Sequence, residues 1–394
     1  MRAMSWPLRV LLVNQFGVNV GFYLLVPFLA GYLDGLGLAA TAVGLVLGVR
    51  TLSQQGLFLL GGTLADRWGP RPVIIVGCAL RTVGFGLFAV LDNLPGLLAA
   101  AVLSGLSGAL FNPAVRAYVA VEAGDGRAEA FARFAVFANA GALAGPLLGA
   151  ALIGVGFPVV AGGAAGIFAA LTVAQVFALP ARSVARRPES VWRDWRGVLG
   201  HREFLGFTVA ASGVFALYTQ LYLVIPLAAE RATGTPRAVG GVFLLATVLS
   251  LALQVPITAW CREHWSPGHA VAVGLALMGA AFLPPLAAQR GPVGVGAVTV
   301  SVLLLSLGYA VANPFVMDLV AGLGDRDLPG TQFGVFYLVS GLIAAGASAG
   351  AGALWQTGWA WGPLALLGVG CAVAVAGLDR AGALVTATVS GSSR

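Results

Sequence analysis

Three sets of residues in this chain could do chemistry, and each lies in or beside apolar sequence. The first is the run Gly62-Thr63-Leu64-Ala65-Asp66-Arg67-Trp68-Gly69-Pro70-Arg71, a short charged stretch bounded by glycine. The second is a set of charges in or near apolar segments: Asp34, Arg50, Arg81, Arg116 and Asp318. The third is a set of amides and phenols: Asn14, Gln15, Asn19, Tyr23, Asn112, Tyr218, Gln220, Tyr222, Tyr309 and Asn313. A carboxylate in such surroundings can bind a proton or a guanidinium, and a charge there is a functional candidate by default. An asparagine can hold a solute by hydrogen bonds but cannot titrate usefully. Bond-making chemistry lacks its parts. The three His fall in loops, no phosphate-binding loop is present, and Cys78, Cys261 and Cys371 show no metal spacing. The expectation is therefore no metal, no cofactor and no enzyme, but binding and movement of a solute.

The surrounding sequence says where that occurs. Of 394 residues 59% are hydrophobic and only 9% charged, whereas soluble domains carry about 25% charged residues. Apolar stretches long enough to cross a bilayer as helices recur at 9–33, 42–62, 73–91, 96–120, 131–153, 158–180, 204–229, 238–260, 270–288, 293–320, 332–353 and 361–379. They lack the alternation of barrel strands. The first follows Arg2 and Arg9 like a signal peptide, but it is too long for one and is read as a retained helix. All 22 basic residues are Arg. On a twelve-span reading, sixteen lie at the termini and the loops of one side, while only Arg231, Arg237 and Arg290 lie on the other. The net charge of +7 thus reports topology, with both termini in the cytoplasm, and not nucleic acid.

The segment 181–203 is the one long polar stretch and divides the chain into 1–180 and 204–394, six spans each. It reads either as a solvated linker or as an amphipathic piece with Trp192 and Trp195 at the lipid headgroups. The halves read as repeats. Phe111-Asn112-Pro113, Gly124-Asp125 and Phe134-Ala135-Val136-Phe137 return about 200 residues later as Asn313-Pro314-Phe315, Gly324-Asp325 and Phe333-Gly334-Val335-Phe336. A parallel six-span repeat implies two pseudo-symmetric bundles with a binding site between them near the midplane.

The 62–71 run resembles the signature loop of the major facilitator superfamily (MFS), which lies between that family's second and third helices. The resemblance implies an all-α polytopic fold of twelve helices and a role for Asp66 against the start of the eleventh helix, near Gly330-Thr331-Gln332. Gly62, Asp66, Arg67, Gly69, Arg71 and Arg116 would form a conformational latch; the plainer alternative is a topogenic loop. Glu122 and Asp125 are candidate partners for the loop arginines, and Arg116 for Asp66. The counterpart in the second half, Trp260-Cys261-Arg262-Glu263-His264, is degenerate. Gly141, Gly145, Pro146 and Gly149 resemble the G-x-x-x-G-P-x-x-G-G motif of MFS drug/proton antiporters, with Ala150 in place of the last glycine. Leu47-Gly48-Val49-Arg50, Gln54-Gln55-Gly56, Arg81 with Gly84-Phe85, and Leu103-Ser104-Gly105-Leu106 are similar to the MdtH-type branch of multidrug exporters.

That resemblance implies proton-coupled efflux of small hydrophobic compounds across a bacterial inner membrane. The expected partners are a small-molecule substrate, protons and the lipid bilayer, with the chain acting as a monomer. Asp34 and Arg50 form either a protonation-sensitive pair or a structural one, and Arg81 is open to the same two readings. The family's antiporters usually carry an acid deep in the N-terminal half. Here Asn14, Asn112 and Asn313 stand in such neighbourhoods, so coupling would rest on Asp34, Asp66 or Asp318, and an uncoupled facilitator or importer stays open. Asn14, Asn19, Tyr23, Asn112, Tyr218, Tyr222 and Asn313 are the candidate cavity residues.

Overall fold

The computed structural model describes residues 5–38, 40–180, 190–235, 238–287, 290–324, 327–355 and 359–384. Among these residues all regular structure is helical. In chain order the helices are α1 (Trp6–Gly35), α2 (Ala40–Gly56), α3 (Phe58–Trp68), α4 (Pro70–Val90), α5 (Leu94–Ala123), α6 (Arg127–Ile153), α7 (Phe157–Ala178) and α8 (Val191–Gly200). They continue as α9 (Arg202–Tyr218), α10 (Val224–Thr233), α11 (Ala238–His264), α12 (Pro267–Ala280), α13 (Pro284–Ala287), α14 (Gly291–Gly322), α15 (Pro329–Trp355) and α16 (Trp361–Arg380). Several starts are written locally. Asn93 and Ser266 cap α5 and α12 with their side chains, and proline stands in the first turn of α4, α5, α7, α12 and α14.

Ten helical stretches are long and apolar enough to cross a membrane, and one of them, Leu94–Ile153, contains both α5 and α6. In hydrocarbon every backbone group must be satisfied inside the protein, and a helix does this within a single stretch. Large apolar side chains such as Leu52, Val90, Leu147, Phe177 and Leu366 point outward, as a lipid-facing surface requires.

Three stretches read from sequence as single spans are interrupted, the last of them, 270–288, between α12 and α13. The first breaks at Leu57, between α2 and α3. The second breaks between α9 and α10, where Thr219–Tyr222 forms a 3-10 turn. Pro113 of α5 and Pro314 of α14 sit at equivalent places in the repeat, each inside a long helix. Proline there removes a ladder hydrogen bond and bends the helix.

The chain forms two compact units. Unit 1 comprises Met1–Asp125, Arg133–Trp195 and Asp327–Leu338; unit 2 comprises Gly126–Ala132, Arg196–Arg326 and Val339–Arg394. Unit 1 therefore contains the first turns of α15, and unit 2 the first turns of α6. Within unit 1, α4 packs on α5 and α7 around Phe85, Phe88, Phe111 and Phe168. Within unit 2, α12 packs on α14 and α16 at glycine contacts, Gly274 on Gly308 and Gly279 on Gly368.

Candidate functional site

Asp66, near the end of α3, is 5% exposed and meets the first turn of α15. Its Oδ1 accepts from the Gly330 N–H at 2.7 Å; its Oδ2 accepts from the Thr331 N–H and the Thr331 hydroxyl, each at 2.6 Å. The first N–H groups of a helix have no partner inside it, and the helix dipole favours an anion there. Asp66 thus caps a helix distant in sequence with three charge-assisted hydrogen bonds. Glycine makes the approach possible: a Cβ on Gly62 would run into the Gly330 carbonyl, and one on Gly330 into the Gly62 carbonyl. Gly69, with φ of 87°, makes the turn from α3 into α4.

The neighbours of this cap include residues to which sequence reading gave another place or none, Trp195 and Asp194. Trp195 of α8 donates its indole N–H to the Thr63 hydroxyl at 2.7 Å. Arg67 pairs with Asp194 of α8 at 2.9 Å, where sequence had offered Glu122 and Asp125. Arg71 donates to the Val176 carbonyl at 2.6 Å. Arg116, suggested as a partner for Asp66, lies over the rings of Tyr337 (4.7 Å) and Phe134 (5.4 Å) and donates to the Asn112 carbonyl. The segment read as a linker or surface piece thus carries a helix whose Asp194 and Trp195 hold the loop, while Trp192 is exposed. Arg67→Ala would leave the buried Asp194 carboxylate short of its cation. A loss of about 1–3 kcal/mol is expected, read as a lower thermal midpoint of the purified protein in detergent. An unchanged midpoint would contradict the pairing.

In unit 2 the first turn of α6 is also held by charges. Arg127 donates to Asp318 of α14 at 2.6 Å, and Arg262 at the end of α11 lies 3.3 Å from Glu129. The degenerate counterpart loop is therefore engaged as well, through Arg262.

The α6 glycines form one face against α1. A Cβ on Gly141 would meet the Phe16 carbonyl; on Gly145, the Tyr23 Cβ and Val20 carbonyl, both at 2.8 Å; on Gly149, the Leu24 carbonyl. Pro146 lies within the helix beside that face.

Arg81 of α4 is 4% exposed. Its Nε donates to the Ser107 hydroxyl at 3.1 Å, and its guanidinium lies 5.3–5.9 Å from the rings of Phe168, Phe111 and Phe22. Arg50 of α2 lies 5.4 Å from the same Phe22 ring. The side chain of Asp34, the partner suggested for Arg50, lies outside the described residues.

The candidate cavity residues separate into groups. Asn14 is 2% exposed and accepts from the Gln175 amide at 2.6 Å inside unit 1. Asn19 donates to the Gln15 carbonyl of its own helix, and Tyr23 is half-buried beside Phe22. Asn112 is half-buried and Asn313 buried, each beside its helix proline. Tyr218 stacks on Tyr309 at 3.9 Å and meets Tyr222 edge-on at 6.2 Å; Tyr222 is 54% exposed. These three phenols gather at the α9–α10 break. A separate apolar cavity of about 330 Å³ in unit 2 is lined by Ala229, Val242, Leu245, Val298 and Val302 among others.

The family model described as Major Facilitator Superfamily matches residues 11–349. An uncharacterised MFS-type transporter of Mycobacterium tuberculosis is 42% identical over 398 residues, covering 96% of this chain and 94% of that protein. Multidrug resistance protein MdtH of Aeromonas hydrophila is 32% identical over 357 residues, covering 89% of each. Among solved structures, the human organic anion transporter MFSD10 superposes with a TM-score of 0.78 at 18% identity, covering 94% of this chain and 99% of that one. The fucose:proton symporter FucP of E. coli superposes with a TM-score of 0.77 at 16% identity, covering 95% and 98%.

Proposed function

The chain belongs to the major facilitator superfamily and is a multi-pass membrane transporter, and from that premise we propose that it exports small hydrophobic compounds in exchange for protons. The observation that carries export is the glycine face of α6 seated on the backbone of α1. That face resembles, short of its last glycine at Ala150, the family's drug/proton antiporter motif, in a chain 32% identical to a multidrug resistance protein. Counting α5 and α6 as two crossings and α2–α3 as one brings the ten apolar stretches to twelve. The arginine distribution supports both termini in the cytoplasm, and the bacterial relatives support an inner membrane. The bundles are 1–180 and 204–394, joined by 181–203.

Alternating access needs ties that hold in one state and release in another. Asp66 on α15 is the first such tie, and Arg127–Asp318 with Arg262–Glu129 is the second. The stacked phenols Tyr218 and Tyr309 offer an aromatic surface to a lipophilic solute. Tyr218→Ala is expected to raise KM for an aromatic dye about tenfold, the equivalent of about 1.4 kcal/mol, with kcat changed little. An unchanged KM would remove these phenols from the binding surface. Protons are carried by Asp34, Asp66 or Asp318. The engagement of Asp66 and Asp318, and the neutral Asn14–Gln175 pair in the interior, favour an uncoupled facilitator as the second reading.

Expression in a drug-sensitive bacterial host tests the proposal. Cells carrying the protein should accumulate less ethidium and less of a neutral lipophilic dye, and a protonophore should abolish the difference. Equal accumulation across the panel would overturn export. A difference that survives the protonophore would overturn protons as the coupling ion.

A further inference from the structure

Unit 1 holds two arginines inside its apolar bundle, and no described carboxylate answers them. Arg81 and Arg50 share the ring of Phe22, so two positive charges lie one aromatic side chain apart. Arginine stays protonated in proteins, so neither escapes burial by losing its charge. The aromatic faces of Phe22, Phe111 and Phe168 stabilise Arg81 in part, and Ser107 accepts from its Nε. Arg50 is less well served. Its Nη1 is buried and, among the described residues, meets no hydrogen-bond acceptor. A guanidinium has five donors, and a buried donor without an acceptor is costly. Of the chain's 15 acids only Asp34 and Asp66 precede residue 92. Asp66 is spent on α15. Asp34 stands near the end of α1, whereas Arg50 lies ten residues into α2, roughly 15 Å along a helix.

The geometry points to a binding site for the anionic head of a lipophilic acid, with Arg50 as the residue that contacts it and Arg81 as a buried positioning charge. A carboxylate would supply both the acceptor and the countercharge that no described residue gives the pair. Phe22 beside both cations, with Phe111 and Phe168 beside Arg81, gives an apolar wall, so the ligand's remaining body is hydrocarbon and not a sugar. This rests on the transport reading above and narrows it: anionic amphiphiles join the neutral compounds as substrates.

The test uses the whole purified protein in nanodiscs of phosphatidylcholine, titrated with dansyl-undecanoic acid and with its methyl ester. The wild type should bind the acid roughly tenfold or more tighter than the ester. Arg50→Gln should bring the two within about twofold while leaving the ester's affinity unchanged, and Arg50→Lys should keep part of the preference. Ester binding also reports folding, so a misfolded variant is recognised. Competition by phosphatidylglycerol would assign the same anion site to a lipid headgroup, and its failure to compete would assign it to the free acid. Equal affinities in the wild type, or a preference untouched by Arg50→Gln, would overturn the inference. A preference that appears only in Asp34→Asn would make Asp34 the partner of Arg50 and also overturn it. Efflux of the neutral dye in cells is scored separately, so loss of the acid preference leaves the export reading standing, and loss of all efflux sinks that reading alone.

Discussion

Asp66→Asn is expected to cut transport at least about tenfold while the protein still reaches the membrane and stays folded. The carboxylate accepts three hydrogen bonds, two from backbone N–H groups and one from the Thr331 hydroxyl. Asparagine has one acceptor oxygen, and its NH2 group would face an N–H donor at the other position. Hydrogen bonds to a charged group contribute about 1.5–3 kcal/mol each, and a conformational equilibrium moves tenfold for every 1.4 kcal/mol. The cap is therefore worth more than tenfold in the balance of states. Asp66→Glu, which keeps the charge but adds a methylene beside the abutting Gly62 and Gly330 backbones, should recover only part of the rate. Flux in proteoliposomes, normalised to reconstituted protein, is the measurement. A wild-type rate in Asp66→Asn would reduce the 62–71 loop to a topogenic signal.

Gly145→Val is expected to abolish transport and to lower the thermal midpoint. The position faces the Tyr23 Cβ and the Val20 carbonyl at 2.8 Å, so any side chain forces α6 away from α1. Overpacking typically costs about 1–3 kcal/mol, and backbone has little room to yield. Gly163→Val is the matched control, since a Cβ there meets only the end of the Leu152 side chain at 3.9 Å. It should leave both readouts near wild type. Transport retained in Gly145→Val would mean that the close α1–α6 seam is not needed for export.

Local pattern made much of this legible. The apolar runs appear in the sequence because lipid-spanning helices need unbroken hydrocarbon, and the 62–71 loop is visible because its glycines and charges are contiguous. The meeting of Asp66 with Gly330 and Thr331 was readable through the family resemblance, because no residue near Asp66 in sequence points to α15. Other features depend on contacts that spacing does not encode. The α6 glycines advertise a close-packed face but not that α1 fills it. Asp194 looked like an ordinary member of a polar stretch and Trp195 like a residue of a solvated linker or a headgroup anchor, though an acid beside Trp195, with Trp192 a turn away, was the available signal. The break at Leu57 has no proline to mark it, only the preceding Gly56. Glu129 and Arg262 lie far apart in sequence, so a degenerate loop concealed a working ion pair.

The most direct test of proton-coupled export is ethidium flux in proteoliposomes under an imposed pH gradient, with Asp34→Asn alongside. The account predicts that ethidium moves opposite to the proton gradient and stops when a protonophore collapses it. Loss of that movement in Asp34→Asn would place the coupling proton on Asp34, and its retention would leave Asp66 or Asp318. Ethidium flux indifferent to the gradient would contradict proton coupling and leave a facilitator.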